Sequence, residues 1–121
     1  MPKNKQKLYI EIYSTYFTVF TNKDKFINYL KRKHQISKVS VDMIKASEAF
    51  YYLLEDDGNY DYLMYLPEIY SDTVTAHETI HLAWGILERV GIKVSFANHE
   101  ALTYLQGVIM DLIKKKIYGR E

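Results

Sequence analysis

Two histidines and a glutamate in the segment His77-Glu78-Thr79-Ile80-His81 have the types and the spacing of a zinc site. On a helix, residues four apart lie on one face, one turn above the other. His77 and His81 can therefore present imidazole nitrogens to one ion at about 2 Å. Glu78 lies about 100° round the helix from His77, where it can take a proton from a metal-held water. The motif predicts one zinc ion per chain, with Glu78 as general base.

A third ligand is expected, because catalytic zinc usually takes three protein ligands and one water. Glu100 lies nineteen positions after His81, in the first turn of a predicted helix. We prefer Glu100 as the third ligand, and its neighbour His99 is the rival. An acidic residue in a first helical turn is also favoured by the helix dipole, so the position alone does not assign the ligand.

Two regions of the chain are rich in β-forming residues. Leu8 to Tyr13 alternates and predicts a strand, and Tyr16 to Phe20 extends it or forms a second strand. Residues 49–54 and 60–66 flank the turn Asp56-Asp57-Gly58-Asn59. Turn residues of this kind between two aromatic-rich runs predict a β-hairpin.

Helical spacing and capping residues predict three helices, whereas residues 35–47 carry no decisive pattern. Gly91 is expected to end the second helix in the left-handed conformation. Trp84 on the same helix is expected in the core rather than in a wall of the site. The helices are expected from Thr21 or Asn22 to about His34, from Ser71–Thr75 to Val90, and from an N-cap at Asn98 to just before Gly119.

These elements predict one α+β domain over residues 1–121. Its strands and hairpin would form an antiparallel or mixed sheet, packed on the helix that carries the two histidines and on the C-terminal helix. At 121 residues and 48% hydrophobic composition, the chain can bury one sizeable core. Cysteine is absent, which excludes disulfides, thiolate nucleophiles and cysteine-ligated zinc.

Charge and hydropathy bear on partners and location. The formal net charge is +1, so neither nucleic acid nor a membrane surface is predicted as a partner. No run of about 18 apolar residues is present, and no small-residue cleavage site follows the basic start. The expectation is a cytoplasmic protein whose oligomeric state the sequence does not indicate.

The segment His77 to His81 followed by Asn98-His99-Glu100-Ala101-Leu102 resembles the gluzincins, the thermolysin-like zinc peptidases. The whole chain resembles minimal gluzincin-like proteins, including small metallopeptidases encoded by phages. The resemblance implies a zincin-like fold, with His77, His81 and Glu100 as zinc ligands and Glu78 as the base. It also implies that the edge strand of the hairpin sheet receives an extended peptide.

The chain departs from that family at Tyr104, where thermolysin-like enzymes have an acidic residue that orients a zinc histidine. His99, Tyr104 and a tyrosine of the hairpin are candidates to stabilise the transition state or to support the ligands. Metzincins are excluded, because Trp84 and Leu87 occupy the positions of their Gly and His. Peptide deformylases are excluded by the lack of cysteine.

Two function classes follow from these residues. The first is a zinc-dependent metallopeptidase that acts on peptide or protein substrates. The second is a catalytically inactive, zinc-containing binding or structural protein, associated with the virion if the chain is encoded by a phage. Glu78 favours the first, because a structural zinc site needs no glutamate beside its ligands and normally closes four protein ligands around the metal.

Overall fold

The computed structural model describes residues 2–120, and within them the chain forms a four-stranded mixed sheet and four α-helices. The predicted α+β class is confirmed. A short 3-10 helix, Glu11–Tyr13, joins the first two strands. The elements in chain order are β1 (Lys5–Ile10), β2 (Thr15–Phe20), α1 (Lys23–His34), α2 (Lys38–Ala46), β3 (Phe50–Asp56), β4 (Asn59–Tyr65), α3 (Asp72–Arg89) and α4 (His99–Lys116).

The strands lie in the order β1-β2-β4-β3. β1 and β2 pair antiparallel, β2 and β4 pair parallel, and β3 and β4 pair antiparallel. Within residues 2–120, β3 pairs only with β4. Its other side, here called the free edge of β3, therefore has main-chain groups that no described strand satisfies.

Alternation along the strands divides the core into two layers, because successive side chains point to opposite faces of a sheet. Phe17, Val19, Tyr62 and Met64 join α3 and α4 in one buried cluster. The intervening side chains Phe20 and Leu63 belong to a second cluster with α1 and α2. The sheet therefore separates two helical layers, and α3 and α4 lie on the same face.

The hairpin between β3 and β4 confirms the prediction made from its turn. Asp57 and Gly58 both adopt positive φ, at 51° and 83°. This is the backbone that a two-residue hairpin loop requires, and Gly tolerates it at no steric cost. The register then pairs Asp56 with Asn59 and Phe50 with Tyr65.

The prediction for the first strand, Leu8 to Tyr13, was wrong at the C-terminal end of the strand. Strand β1 stops at Ile10, and Glu11–Tyr13 turn into the 3-10 helix, closed by the bond from Ser14 N to Glu11 O at 3.1 Å. Tyr16 to Phe20 belong to the separate strand β2. Ser14 adopts φ 48°, a left-handed conformation that is uncommon for residues other than glycine.

The helix predicted to end at His34 is confirmed as α1, with Asn22 accepting a hydrogen bond from Lys25 N at 2.9 Å. Residues 35–47, which carried no decisive pattern, contain α2. Ser37 caps this helix by accepting a hydrogen bond from Ser40 N. Over residues 2–120, no helix has the length and apolar character needed to cross a bilayer.

Candidate metal centre

Helix α3 carries the histidine motif and is anchored at both ends by local contacts. Ser71 accepts a hydrogen bond from Val74 N at 3.2 Å, which satisfies a main-chain donor of the first turn. At the other end Gly91 has φ 83°, and Ile92 N bonds to Leu87 O at 2.9 Å. Gly91 therefore ends the helix as predicted, in the left-handed conformation that glycine favours.

His77 and His81 lie one turn apart and point to the same side of α3. Their ring centroids are 5.1 Å apart, and the rings meet edge to face. Both residues are exposed, and the side chain of His77 retains 69% of its full accessibility. Two imidazoles this close on one helix face can share an ion, and their pairing as zinc ligands stays a prediction.

Glu78 has the opposite environment, although it is adjacent to His77. Its side chain is only 10% exposed, and its Oε2 lies 3.8 Å from His77 Nε2, too far for a direct hydrogen bond. Burial raises the pKa of the Glu78 carboxyl, and the nearby His77 and His81 oppose that shift. A desolvated carboxylate is a stronger base than an exposed one, which suits proton transfer.

A hollow of about 290 Å³ lies where α3 meets the start of β3. We call it the histidine hollow. The two histidines and Glu78 form one side of it, and the residues at the start of β3 form the other. Its lining residues are Ala49, Phe50, Tyr51, His77, Glu78 and His81.

A second hollow of about 460 Å³ adjoins the first, further along α3 and β3. We call it the Trp84 hollow. Tyr51 and His81 line both hollows and stack on each other, with ring centroids 6.2 Å apart and planes at 16°. The prediction that Trp84 belongs to the core was wrong, because Trp84 is 45% exposed and lines this hollow.

Helix α4 packs on a different side of α3. The side-chain amide of Gln106 donates to Ala76 O at 2.9 Å and lies 3.5 Å from the Thr79 hydroxyl. At about 100° per residue, Ala76 and Thr79 lie roughly 100° to 160° round the helix from the two histidines. The main contact between α3 and α4 therefore faces away from the histidine hollow.

The remaining predicted site residues lie on that helix. Glu100 and His99 are exposed in its first turn, and the His99 ring contacts Phe96 at 5.9 Å. Tyr104 is 63% exposed. Within residues 2–120, no three His, Asp or Glu side chains are grouped so that they could hold one metal ion. The structure thus brings together His77, Glu78 and His81, and it does not group Glu100 or His99 with them as further metal ligands.

Asn98 precedes α4 as predicted, but its side chain does not cap the helix. Its amide nitrogen instead donates to Lys93 O at 3.1 Å and closes the loop before the helix. The first turn that carries Glu100 is therefore held without the side-chain cap that the sequence suggested. Capping residues also form such loop contacts, so residue type alone did not decide between the two.

Comparisons of the chain with protein-family models, curated proteins and solved structures gave no match. The chemistry of the site therefore rests on its own residues. These are two exposed imidazoles, a buried carboxylate beside them, and the start of β3, whose outer side pairs with no strand among residues 2–120.

Two further residues at the site were not singled out individually from the sequence. Tyr51 lies between the two hollows, and its buried hydroxyl has no hydrogen-bond partner within the described residues. Burial raises the pKa of this hydroxyl far above its ordinary value, so it stays neutral. Glu88 lines the far end of the Trp84 hollow. Its spacing of seven from His81, two helical turns, is the signal that could have placed it on the same face.

Proposed function

We propose that the chain is a zinc-dependent metallopeptidase that hydrolyses peptide bonds with Glu78 as the general base. The proposal rests on the contrast in burial within one turn of α3. The ligand candidate His77 is exposed, whereas the adjacent carboxylate of Glu78 is buried. Burial of an ionisable carboxylate lowers stability unless it is compensated, and such groups are concentrated at functional sites.

His77 and His81 are the residues that would hold zinc. Two imidazoles one turn apart on an exposed helix face are suitable donors for this metal. Within the described residues no further histidine or carboxylate completes a group of three that could hold a metal ion. Glu100 stays the proposed third ligand on the strength of the gluzincin resemblance. Zinc, when bound, supplies a Lewis acid that lowers the pKa of its water to about 7.

Glu78 would accept the proton of the attacking water and pass it to the leaving amine. Its carboxylate lines the same hollow as both histidines and is shielded from bulk solvent. Shielding keeps competing water away and strengthens the carboxylate as a base. Histidine or carboxylate bases of this kind contribute about 10² to 10⁴ in rate.

The free edge of β3 supports a peptide as the substrate. An extended peptide can add to an exposed sheet edge through main-chain hydrogen bonds, largely regardless of its sequence. Ala49 and Phe50 line the same hollow as Glu78, so a strand added to the free edge of β3 at this end would lie near the motif. An edge strand, a motif helix against the sheet and a following helix are also the arrangement expected of a zincin-like domain.

The second candidate is a zinc-containing binding or structural protein without catalysis, including a virion component. One observation favours the absence of catalysis, namely that no group of three candidate ligands is present within residues 2–120, whereas catalytic zinc usually takes three protein ligands. Under that reading Glu78 has no chemical task. Replacement of Glu78 therefore separates the two candidates.

The test is a cleavage profile on a proteome-derived peptide library. Wild type would be compared with Glu78→Gln, with added zinc and with a chelator. Glu11→Gln is the matched control, because Glu11 is exposed beside β1, at the opposite edge of the sheet. We expect cleavage by wild type and Glu11→Gln, and a loss of at least about 100-fold in Glu78→Gln with zinc retained. Identical profiles for wild type and Glu78→Gln would overturn the peptidase proposal.

A further inference from the structure

The Trp84 hollow has apolar walls that are open to solvent. Trp84 and Ile80 on α3 are 45% and 36% exposed, and both line this hollow. Leu53 of β3 lines the opposite side. At about 460 Å³ it falls in the size range of ligand pockets, which is about 300–1,000 Å³. Exposed apolar surface gathered in a concavity marks a binding site more often than apolar residues scattered singly.

The far end of the hollow carries a negative charge. Glu88 lies seven positions after His81, which corresponds to about 10.5 Å along the helix. Within residues 2–120 the ion pairs are His77 with Glu78 and Lys114 with Asp72, so Glu88 has no cationic partner there. The hollow thus combines an aromatic face and aliphatic walls near the motif with the Glu88 carboxylate at its far end.

We propose that the Trp84 hollow receives a lysine or arginine side chain of the substrate, from the residue directly before the scissile bond. The proposal rests on the proposed peptidase function and adds a substrate class to it. Lys and Arg bury their aliphatic stems against apolar surface while the cation stays solvated. The face of a tryptophan attracts such a cation, and a carboxylate at the end of the stem pairs with it. Shorter or neutral side chains would leave Glu88 unpaired.

The position before the scissile bond follows from the direction of β3. The histidine hollow is lined by residues 49–51, and the Trp84 hollow by Tyr51 and Leu53. Antiparallel pairs outnumber parallel ones about two- to threefold, so we take the peptide to add antiparallel to β3. It then runs from Leu53 towards Ala49. Its amino-terminal side therefore occupies the Trp84 hollow, and its scissile bond reaches the histidines.

Binding can be tested without turnover, because Trp84 is the only tryptophan of the chain. The probes are acetylated tripeptide amides with lysine, arginine or norleucine between two alanines, titrated at low ionic strength into Glu78→Gln. We expect a change in Trp84 fluorescence and a Kd about 3- to 30-fold lower for the lysine and arginine peptides than for norleucine, which has the stem without the charge. Equal Kd values, or no fluorescence change with any peptide at millimolar concentration, would overturn the proposal.

The variant that decides the role of Glu88 is Glu88→Gln, which removes the charge and keeps the shape. Placed on Glu78→Gln, it should reduce the difference between lysine and norleucine peptides to the part that the Trp84 face supplies, whereas Glu11→Gln on the same background should leave the full difference intact. An undiminished difference in Glu88→Gln would overturn the pairing with Glu88. Glu88 is exposed, so the change should not prevent folding.

Cleavage then separates this inference from the function on which it rests. Wild type should favour lysine or arginine directly before the cut, and Glu88→Gln should weaken that preference while still cleaving. A basic preference after the cut would overturn the antiparallel placement. Selective binding of the charged peptides without any cleavage would sustain the hollow as a basic side-chain site and overturn the peptidase proposal. Cleavage without a basic preference would sustain the peptidase proposal and overturn the Trp84 hollow as a basic side-chain site.

Discussion

The ring of Tyr51 lies nearly parallel to the ring of His81, with centroids 6.2 Å apart and an angle of 16° between the planes. Tyr51 belongs to the edge strand β3, and His81 belongs to α3. The stack therefore ties the orientation of one proposed zinc ligand to the strand on which a peptide would bind. It also forms the wall between the histidine hollow and the Trp84 hollow.

Replacement of Tyr51 by Phe should stabilise the protein and preserve the stack. The Tyr51 hydroxyl is buried and has no hydrogen-bond partner within the described residues, so its removal relieves a desolvation cost. We expect the free energy of unfolding to rise by about 1 kcal/mol in urea titrations. Zinc binding should not change, because the Phe ring still supports His81. A loss of stability would show that the hydroxyl has a partner, such as an ordered water.

Gly85 should become replaceable by Ala only when that hydroxyl is gone. A Cβ at Gly85 would lie 2.7 Å from the Tyr51 hydroxyl oxygen, whereas the next nearest atoms lie 3.7 Å away. Gly85→Ala in wild type must displace the Tyr51 ring and disturb its stack on His81. In Tyr51→Phe the same change should stabilise by about 1 kcal/mol, the helix preference of Ala over Gly. The check is a double-mutant cycle in urea, in which additive effects would contradict the clash.

Local elements were predictable from the sequence, and the burial of helix faces was not. The ends of α3 follow from Ser71 and Gly91, whose roles depend on neighbours within four residues. Trp84 was misplaced because α3 is apolar on more than one side. Ile86 and Leu87 are buried while Ile80 and Trp84 are exposed, so periodicity alone cannot select the core face.

The position of the third ligand depends on how two helices pack, whereas the histidine motif depends on spacing within one helix. Sequence spacing put Glu100 in the first turn of α4, and the structure agrees. Whether that turn reaches the histidines depends on which side of α3 the helix packs against. The bond from Gln106 to Ala76 fixes that side, and nothing in the spacing of Glu100 from His81 encodes it.

Alkaline pH should destabilise the fold through Tyr29. Burial and the hydrogen bond that its hydroxyl donates to Asp61 raise the Tyr29 pKa to about 12. In the unfolded chain a tyrosine titrates near pH 10. The neutral phenol is thus favoured by folding, and its contribution is fully present below pH 10 and lost as pH rises towards 12.

The measurement compares wild type with Tyr29→Phe in urea unfolding across that interval. Wild type should be the more stable protein near neutrality, and its advantage should shrink as pH rises from 10 to 12. Asp61→Asn removes the charge that accepts the hydrogen bond and should weaken the dependence on pH. A constant difference in the free energy of unfolding between wild type and Tyr29→Phe at all pH values would contradict the raised pKa of Tyr29.

Bound zinc should depend on both histidines of the motif, and zinc content should decide whether Glu100 is a ligand. The purified protein should contain about one zinc per chain by elemental analysis. His77→Ala and His81→Ala should each lose it, since each change removes one of the two imidazoles that are grouped on α3. Glu78→Gln should keep it, because Glu78 is proposed as the base and not as a ligand. If Glu100→Ala retains full zinc while His77→Ala loses it, Glu100 is not the third ligand. If Glu100→Ala loses zinc and His99→Ala keeps it, the first turn of α4 must move to the histidines when the metal binds.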